Sequence, residues 1–447
     1  MLNKKLDEYL KNDYYPFHMP GSKRTDILRD DLPYQRDLTE IEGFDNLNDP
    51  GDILLDLNKK IAEIYGVKNA IISTNGSTCG ILATIRALTY ENNNILIQRS
   101  SHKAVYNAIE LNNLNPSYID VVLSEENAVV DIDYEDFYKK IRSKDFAAVI
   151  VTSPSYEGYI IDLEKIYKEC QKQKVPLIVD LAHGSHFLLN NMWQNYFDIA
   201  ITSFHKNLSA LTPAACVFIN NEKYFSEIQR NMAIFQTSSP SYIIMQSIDD
   251  MVNNYCKFND LYKIMKENLD ELYTLKLKHL KLIEHPNKDK SKILISTNNS
   301  NINGDMLQSL LKQEKIEIEM SYPSYALLIS TIFDKKIGFD RLKEALIKID
   351  ENLDSGENAS NFSYFIPETI KSIKDAQLSK KKCININNAK NRISGQFIYA
   401  YPPGIPLVVP GEVIDSTIIK TINNMFNNGI SLNISTDVLI IDWHFFL

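Results

Sequence analysis

The 447-residue chain has no CxxC pair, and its five cysteines (Cys79, Cys170, Cys216, Cys256 and Cys383) are odd in number and widely spread. That pattern argues against a disulfide framework and a zinc site, and fits reduced thiols in a reducing compartment. Basic residues are not in excess: 48 Lys+Arg against 57 Asp+Glu leave a net charge of -9, which argues against a dedicated nucleic-acid binder. No apolar run reaches the roughly 18 residues needed to cross a bilayer. The opening MLNKKLDEYLKND lacks the apolar stretch of a secretory signal. The expectation is a cytoplasmic protein with no membrane partner. No internal repeat is visible, and no GxSxG elbow supports a hydrolase built on Ser153 or Ser155.

What is present is an ordinary globular composition, 44% hydrophobic and 23% charged, so extended disorder is not expected. At about 150 residues per domain, the length suggests roughly three folding units, or a large domain with a smaller one attached. The first 52 residues are turn-rich and read as an arm that wraps a surface. From Ile53 a helical pattern, ILLDLNKKIAEIYG, stops at Gly66. Short apolar runs then alternate with helix-like stretches: AIIST before CGILATIRALTY, ILIQR before KAVYNAIEL, AAVIVTS before DLEKIYKECQKQK, then PLIVD, DIAITSF and ACVFIN. This alternation signals βαβ units and a buried, mainly parallel sheet over residues 53–220. A long helix is expected from Ser241 to about Leu282, and ENLDSGENASNF (351–362) reads as a linker. YPPGIPLVVPGE (401–412) is too rich in Pro and Gly for regular structure. The expected division is an arm (1–52), a large cofactor-binding domain (53–282) and a smaller α+β region (283–447).

Ligands of open α/β sheets bind beyond the carboxyl ends of the strands, so the polar residues ending these strands carry the chemistry. After AIIST, Asn75-Gly76-Ser77-Thr78 opens a helix, a ready anion site or a simple N-cap. After ILIQR comes His102, structural or functional. PLIVD ends in Asp180-Leu181-Ala182-His183, and a carboxylate ending a buried strand needs a cationic or hydrogen-bonding partner. DIAITSF leads to Ser203-Phe204-His205-Lys206. A lysine at a strand mouth is a candidate Schiff-base amine, because desolvation lowers its pKa. An anion site, a strand-end Asp and a strand-end Lys, in that order on one sheet, are what pyridoxal 5'-phosphate requires.

At these residues the chain resembles a fold-type I, pyridoxal-phosphate-dependent enzyme of the ornithine/lysine/arginine decarboxylase family, in its shorter bacterial form. The likeness runs nearly end to end, through FHMPGSKR (17–24), DLTEIEGFDNL (37–47), NGSTCGILA (75–83), RSSHKAVYNAI (99–109), TSPSYEGYIID (152–162), DLAHGSHF (180–187), SFHKNLSALTPAA (203–215), QTSSPSY (236–242) and YPPGIPLVVPGE (401–412). The resemblance implies an aspartate-aminotransferase-like large domain with a mainly parallel sheet and a smaller α+β C-terminal region. It implies that Lys206 carries the cofactor, Asp180 meets the pyridine nitrogen and His102 stacks on the ring. It places Ser77, Thr78, Ser203 and His205 at the phosphate, with Gly76 letting the backbone approach, and His183 beside Asp180. Glu412 is expected to read the distal cation of the substrate, across a dimer interface if the sites are shared. The implied reaction decarboxylates arginine, lysine or ornithine to a polyamine-pathway amine, in a homodimer or larger homo-oligomer.

The chain departs from the family pattern at Ser22, where His is common, and at Leu181, where an acid is common. It departs again at Asn207 and Pro213, where Thr and Gln are frequent. Two other readings remain open here. One is a fold-type I aminotransferase, with Arg392 as its carboxylate clamp. The other is a catalytically silent family member acting as a binding or regulatory subunit.

Overall fold

The computed structural model describes residues 1–12, 14–356, 366–399, 405–427 and 432–442. Along the chain run α1 (Leu2–Lys11), α2 (Ile53–Tyr65), β1 (Asn69–Ser73), α3 (Gly76–Leu88), β2 (Asn94–Gln98), α4 (Lys103–Asn112), β3 (Asn115–Ile119), the hairpin β4 (Val121–Leu123) and β5 (Val129–Ile132), and α5 (Tyr134–Ile141). Then come β6 (Ala148–Thr152), α6 (Leu163–Gln173), β7 (Leu177–Asp180), β8 (Ile199–Ser203), the single turn α7 (Phe204–Asn207), β9 (Ala215–Ile219), α8 (Phe225–Phe235) and α9 (Tyr242–Tyr273). These follow the alternation expected from the apolar runs. In α2, Ile53, Leu54, Leu57, Ile61, Ala62 and Tyr65 recur three or four apart and form one buried stripe. Gly66 ends the helix in the left-handed conformation at φ 63.

The chain forms two compact units, each assembled from separated segments. The first comprises Met1–Tyr90 and Leu163–Lys263, the second Glu91–Asp162 and Ile264–Leu447. These units cut across the boundaries expected at residues 52 and 282. In the first unit the strands lie in the order β1–β9–β8–β7. β7 and β8 are parallel, whereas β9 runs antiparallel to both β8 and β1. Residues 204–214 are the whole connection from β8 to β9, too short for the helical crossover that a parallel neighbour requires. Helix α3 packs on β8 and β9. The N-terminal segment does more than wrap a surface: Leu2, Leu6, Leu38 and Leu47 are buried, and the Asn3 amide donates to Asp249 of α9 at 3.0 Å.

In the second unit β6, β2 and β3 lie in that order, all parallel. Four further strands, β10 (Lys281–Leu282), β11 (Lys292–Ser296), β12 (Met320–Tyr322) and β13 (Tyr325–Ile329), form an antiparallel sheet in the order β10–β11–β13–β12. Helices α10 (Gly304–Gln313) and α11 (Lys336–Asp350) accompany it. The chain continues with α12 (Ile373–Leu378), β14 (Lys381–Asn385), β15 (Arg392–Ile393), β16 (Ile398–Tyr399), β17 (Pro406–Val408), β18 (Val413–Ile414), α13 (Ser416–Asn427) and β19 (Asp437–Ile441). The pairs β14–β19, β15–β18 and β16–β17 close over a core that includes Ile386, Ile398, Val408, Ile414, Ile418 and Ile440.

The expectation that 401–412 holds no regular structure is corrected in part. Residues 401–404 lie outside the described residues, but Pro406–Val408 is a strand paired with β16. Pro406 can begin a strand because a proline at that position need not donate to the ladder. Residues 357–362 of the expected linker also lie outside the described residues. Among the described residues no helix is long and apolar enough to cross a membrane. Nor does any group of three or more His, Cys, Asp or Glu form a potential metal site among them.

Candidate active site

Strand register aligns the first unit's polar strand ends. Ser73 at the end of β1 and Ser203 at the end of β8 both pair with Ala215, the first residue of β9. Adjacent strands are about 4.8 Å apart, so β1 and β8 end on one row, roughly 10 Å from each other. Three residues beyond Ser73 the chain enters α3 at Gly76, and three beyond Ser203 it reaches Lys206 in α7. Asp180 ends β7 beside Ile201 of β8. The cradle, the carboxylate and the amine therefore leave the same end of these strands.

Asp180 is buried. Its Oδ1 accepts from the Ala182 amide at 3.1 Å, and the Gly184 amide donates back to the Leu181 carbonyl at 2.9 Å. These two bonds turn the chain at once after β7. The turn brings the buried His183 to Lys206, whose Nζ lies 3.0 Å from His183 Nε2. With Nζ donating, His183 carries its own proton on Nδ1. His205 donates from Nδ1 to the Ala214 carbonyl at 2.8 Å. Burial holds its pKa below the ordinary imidazole value, and the charge of Lys206 pushes the same way against the Ala214 bond.

At the start of α3 no side chain caps the helix from Asn75, so its first N–H groups are open to an anion. Gly76 sits at φ 77, a conformation that side-chain-bearing residues rarely adopt. Ser203 Oγ is buried and has no hydrogen-bond partner among the described residues, and the same holds for both polar atoms of the Asn207 carboxamide. Buried polar atoms are normally paired, so these two side chains beside Lys206 present polar capacity for a ligand. An uncapped helix start, an unpaired hydroxyl, a strand-end carboxylate and a strand-mouth amine fit pyridoxal phosphate.

In the second unit His102 is the N-cap of α4, with Nδ1 accepting from the Ala104 amide at 3.2 Å. Its structural role is thus satisfied, while the residue as a whole is exposed. Glu412 requires a correction. It does not stand at a mouth to read a cation: its side chain is fully buried in a two-pronged ion pair with Arg99. Arg99 Nη1 donates to Oε1 at 2.6 Å and Nη2 to Oε2 at 2.9 Å, and the Val409 amide donates to Oε2 at 2.8 Å. Both carboxylate oxygens are engaged. Burial raises the Glu412 pKa, and Arg99 opposes that rise. Arg99 carries no role in the sequence analysis above. It follows the apolar run ILIQ, and the rule that singled out Asp180 applies to it equally, because a charge ending a buried strand needs a partner. Arg392, the suggested aminotransferase clamp, is exposed on β15.

The comparisons with known proteins identify the family. Residues 2–316 match the family described as Orn/Lys/Arg decarboxylase, major domain, and residues 368–428 match its C-terminal domain. An arginine decarboxylase of Halalkalibacterium halodurans is 26% identical over 440 residues, covering 91% of this chain and 89% of the relative. An arginine decarboxylase of Bacillus subtilis is 25% identical over 454 residues, covering 95% and 92%. The crystal structure of a Francisella novicida lysine decarboxylase superposes with a TM-score of 0.81 at 17% identity, covering 99% of this chain and 81% of that one; this likeness shows the shared fold. With its two modules matched in order, and with a strand-mouth lysine leaving the same sheet end as a buried aspartate and an open helix start, the chain belongs to the Orn/Lys/Arg decarboxylase family.

Proposed function

We propose that this chain removes the α-carboxylate of a basic amino acid, arginine before lysine or ornithine, using pyridoxal phosphate held by Lys206. We place it in the cytoplasm, as a homodimer or larger homo-oligomer. The observation that carries the reading is the contact between Lys206 Nζ and His183 Nε2 at 3.0 Å, on the strand end shared with Asp180 and the start of α3. The preference for arginine rests on the names of the two relatives.

Bound here, the cofactor would supply an electron sink for the pair left when the Cα–carboxylate bond breaks. The chain's own groups do the rest. The α3 N–H groups, Ser77, Thr78 and Ser203 would hold the phosphate, and His205, its Nδ1 already on the Ala214 carbonyl, would join them by donating from a protonated Nε2. Asp180, fixed by the Ala182 amide, would keep the pyridine nitrogen protonated. Lys206 would join the aldehyde carbon, and His102 would lie on the ring. After carbon dioxide leaves, the Lys206–His183 pair would return a proton to Cα, from Nζ directly or from Nε2 once Nζ has passed its proton there. The net reaction consumes one proton per amine formed. Glu412 is withdrawn from substrate reading because Arg99 already occupies it.

Incubation of purified protein with arginine, lysine and ornithine, scoring carbon dioxide and agmatine, cadaverine or putrescine, tests the reading. One amine formed in step with carbon dioxide supports it. Consumption of a keto acid without carbon dioxide supports the aminotransferase instead. Bound cofactor with no product from any of the three substrates overturns the proposal in favour of the silent subunit.

A further inference from the structure

Four contacts link the C-terminal module to the short β2–α4 corner that carries His102, and all lie within the second unit. Ahead of His102, Arg99 grips Glu412 through both oxygens and donates from Nη2 to the Leu407 carbonyl at 3.1 Å. Just after it, Lys103 Nζ lies 5.6 Å from the centre of the Tyr399 ring. One turn further, Tyr106 meets Phe397 edge to face at 6.1 Å. The corner is also tied within itself. Tyr106 Oη donates to the Arg99 carbonyl at 2.6 Å, the Arg99 amide donates to Ile119 at 3.1 Å, and the Arg99 guanidinium lies over Tyr118 at 4.7 Å.

We propose that Arg99 and Glu412 are positioning residues: through this clamp the C-terminal module sets the orientation of the His102 ring. The proposal rests on the reading that His102 stacks on the cofactor. The His102 ring is bound through Nδ1 to the first turn of α4, so its direction follows the direction of that turn. The corner is held before His102 by the Arg99–Glu412 fork and after it by the Tyr399 and Phe397 rings on Lys103 and Tyr106. The fork matters most because it is geometrically exacting. A guanidinium offers two parallel donors to a carboxylate, and a lysine or an amide cannot reproduce the match. Both partners are fully buried, so water cannot substitute. A C-terminal module that supplied only bulk would need apolar contacts, not a desolvated pair aimed at the residue that begins the corner.

The test uses the full-length holoprotein and compares Glu412→Gln, His102→Ala and the double variant by the visible circular dichroism of the bound cofactor. Hydrogen exchange at the Ala104 and Val105 amides is read in the cofactor-free protein. Glu412→Gln should change the dichroic band in the same direction as His102→Ala, and the double variant should show no further change. It should also speed exchange in the first turn of α4 and lower kcat by about tenfold with KM within about twofold. Should Glu412→Gln fail to fold, Arg99→Lys keeps the charge and should give a smaller change in the same direction. If His102→Ala changes the band and neither Glu412→Gln nor Arg99→Lys does, the clamp is overturned while the stacking reading stands. If His102→Ala leaves the band unchanged, the stacking reading falls, and the clamp falls with it.

Discussion

Replacement of Lys288 by Met should change how stability depends on pH, by an amount the structure allows to be worked out. Lys288 is buried and donates from Nζ to the Lys292 carbonyl. Asp289, Glu157 and Glu284 surround it and favour its charge, yet burial outweighs them and its pKa falls from 10.5 to about 8. Glu157 is itself buried, accepts from Tyr325 at 2.8 Å and from Ser155 at 3.0 Å, and burial raises its pKa. The lysine binds its proton less tightly folded than unfolded, so the folded state is penalised below pH 8 and the penalty fades as pH rises toward 10.5. Linkage puts the penalty at about 3 kcal/mol near pH 7 and about 1 kcal/mol near pH 9.5. The stability of Lys288→Met relative to the parent should therefore fall by about 2 kcal/mol between those pH values. Urea unfolding of both proteins at the two pH values measures it, and groups common to both cancel. A difference that does not change with pH would refute the assignment of a strained, buried ammonium at this position.

Three further outcomes are expected. Lys206→Ala should abolish borohydride labelling and the visible absorbance of bound cofactor, and slow decarboxylation by at least about a thousandfold; retained labelling would place the attachment elsewhere. Gly76→Ala forces a side chain into φ 77 at a cost of about 1–2 kcal/mol, and should weaken pyridoxal phosphate binding by about tenfold, measured by fluorescence titration. Leu181→Asp restores the acid common in the family but buries it, so the melting temperature should fall with a loss of about 3 kcal/mol, while Leu181→Met should be nearly neutral.

The TSPSYEGYIID stretch, a family likeness without a role in the sequence reading, finds one in the Lys288 network. Ser155 and Glu157 belong to that network directly, and Tyr159 forms a backbone bridge to Lys288. No local pattern reveals this, because the partners Tyr325 and Lys288 lie far along the chain.

Much of the frame was legible from local order. Five-residue apolar runs separated by helix-length stretches can only be strands and helices in a layered fold, and β1, β2, β6, β7, β8 and β9 fall where those runs predicted. Asp180 and Lys206 stood out because a charge at the end of an apolar strand is costly unless it is partnered or used. What local order leaves undetermined is the identity of the partner. The same rule, applied to Arg99 and Glu412, demands a partner for each, but the pair is 313 residues apart and sequence carries no distance between them. Glu412 consequently read as the acid that meets the substrate's distal cation. The direction of β9 and the pairing of β17 likewise depend on which strand lies alongside, a matter of packing. The sequence by itself determined which residues had to be strand, helix and strand-end chemistry, because those follow from each residue's neighbours in the chain. Only the tertiary structure decided which charges neutralise one another and which remain for a ligand, because burial and pairing depend on what the fold brings within a few ångströms.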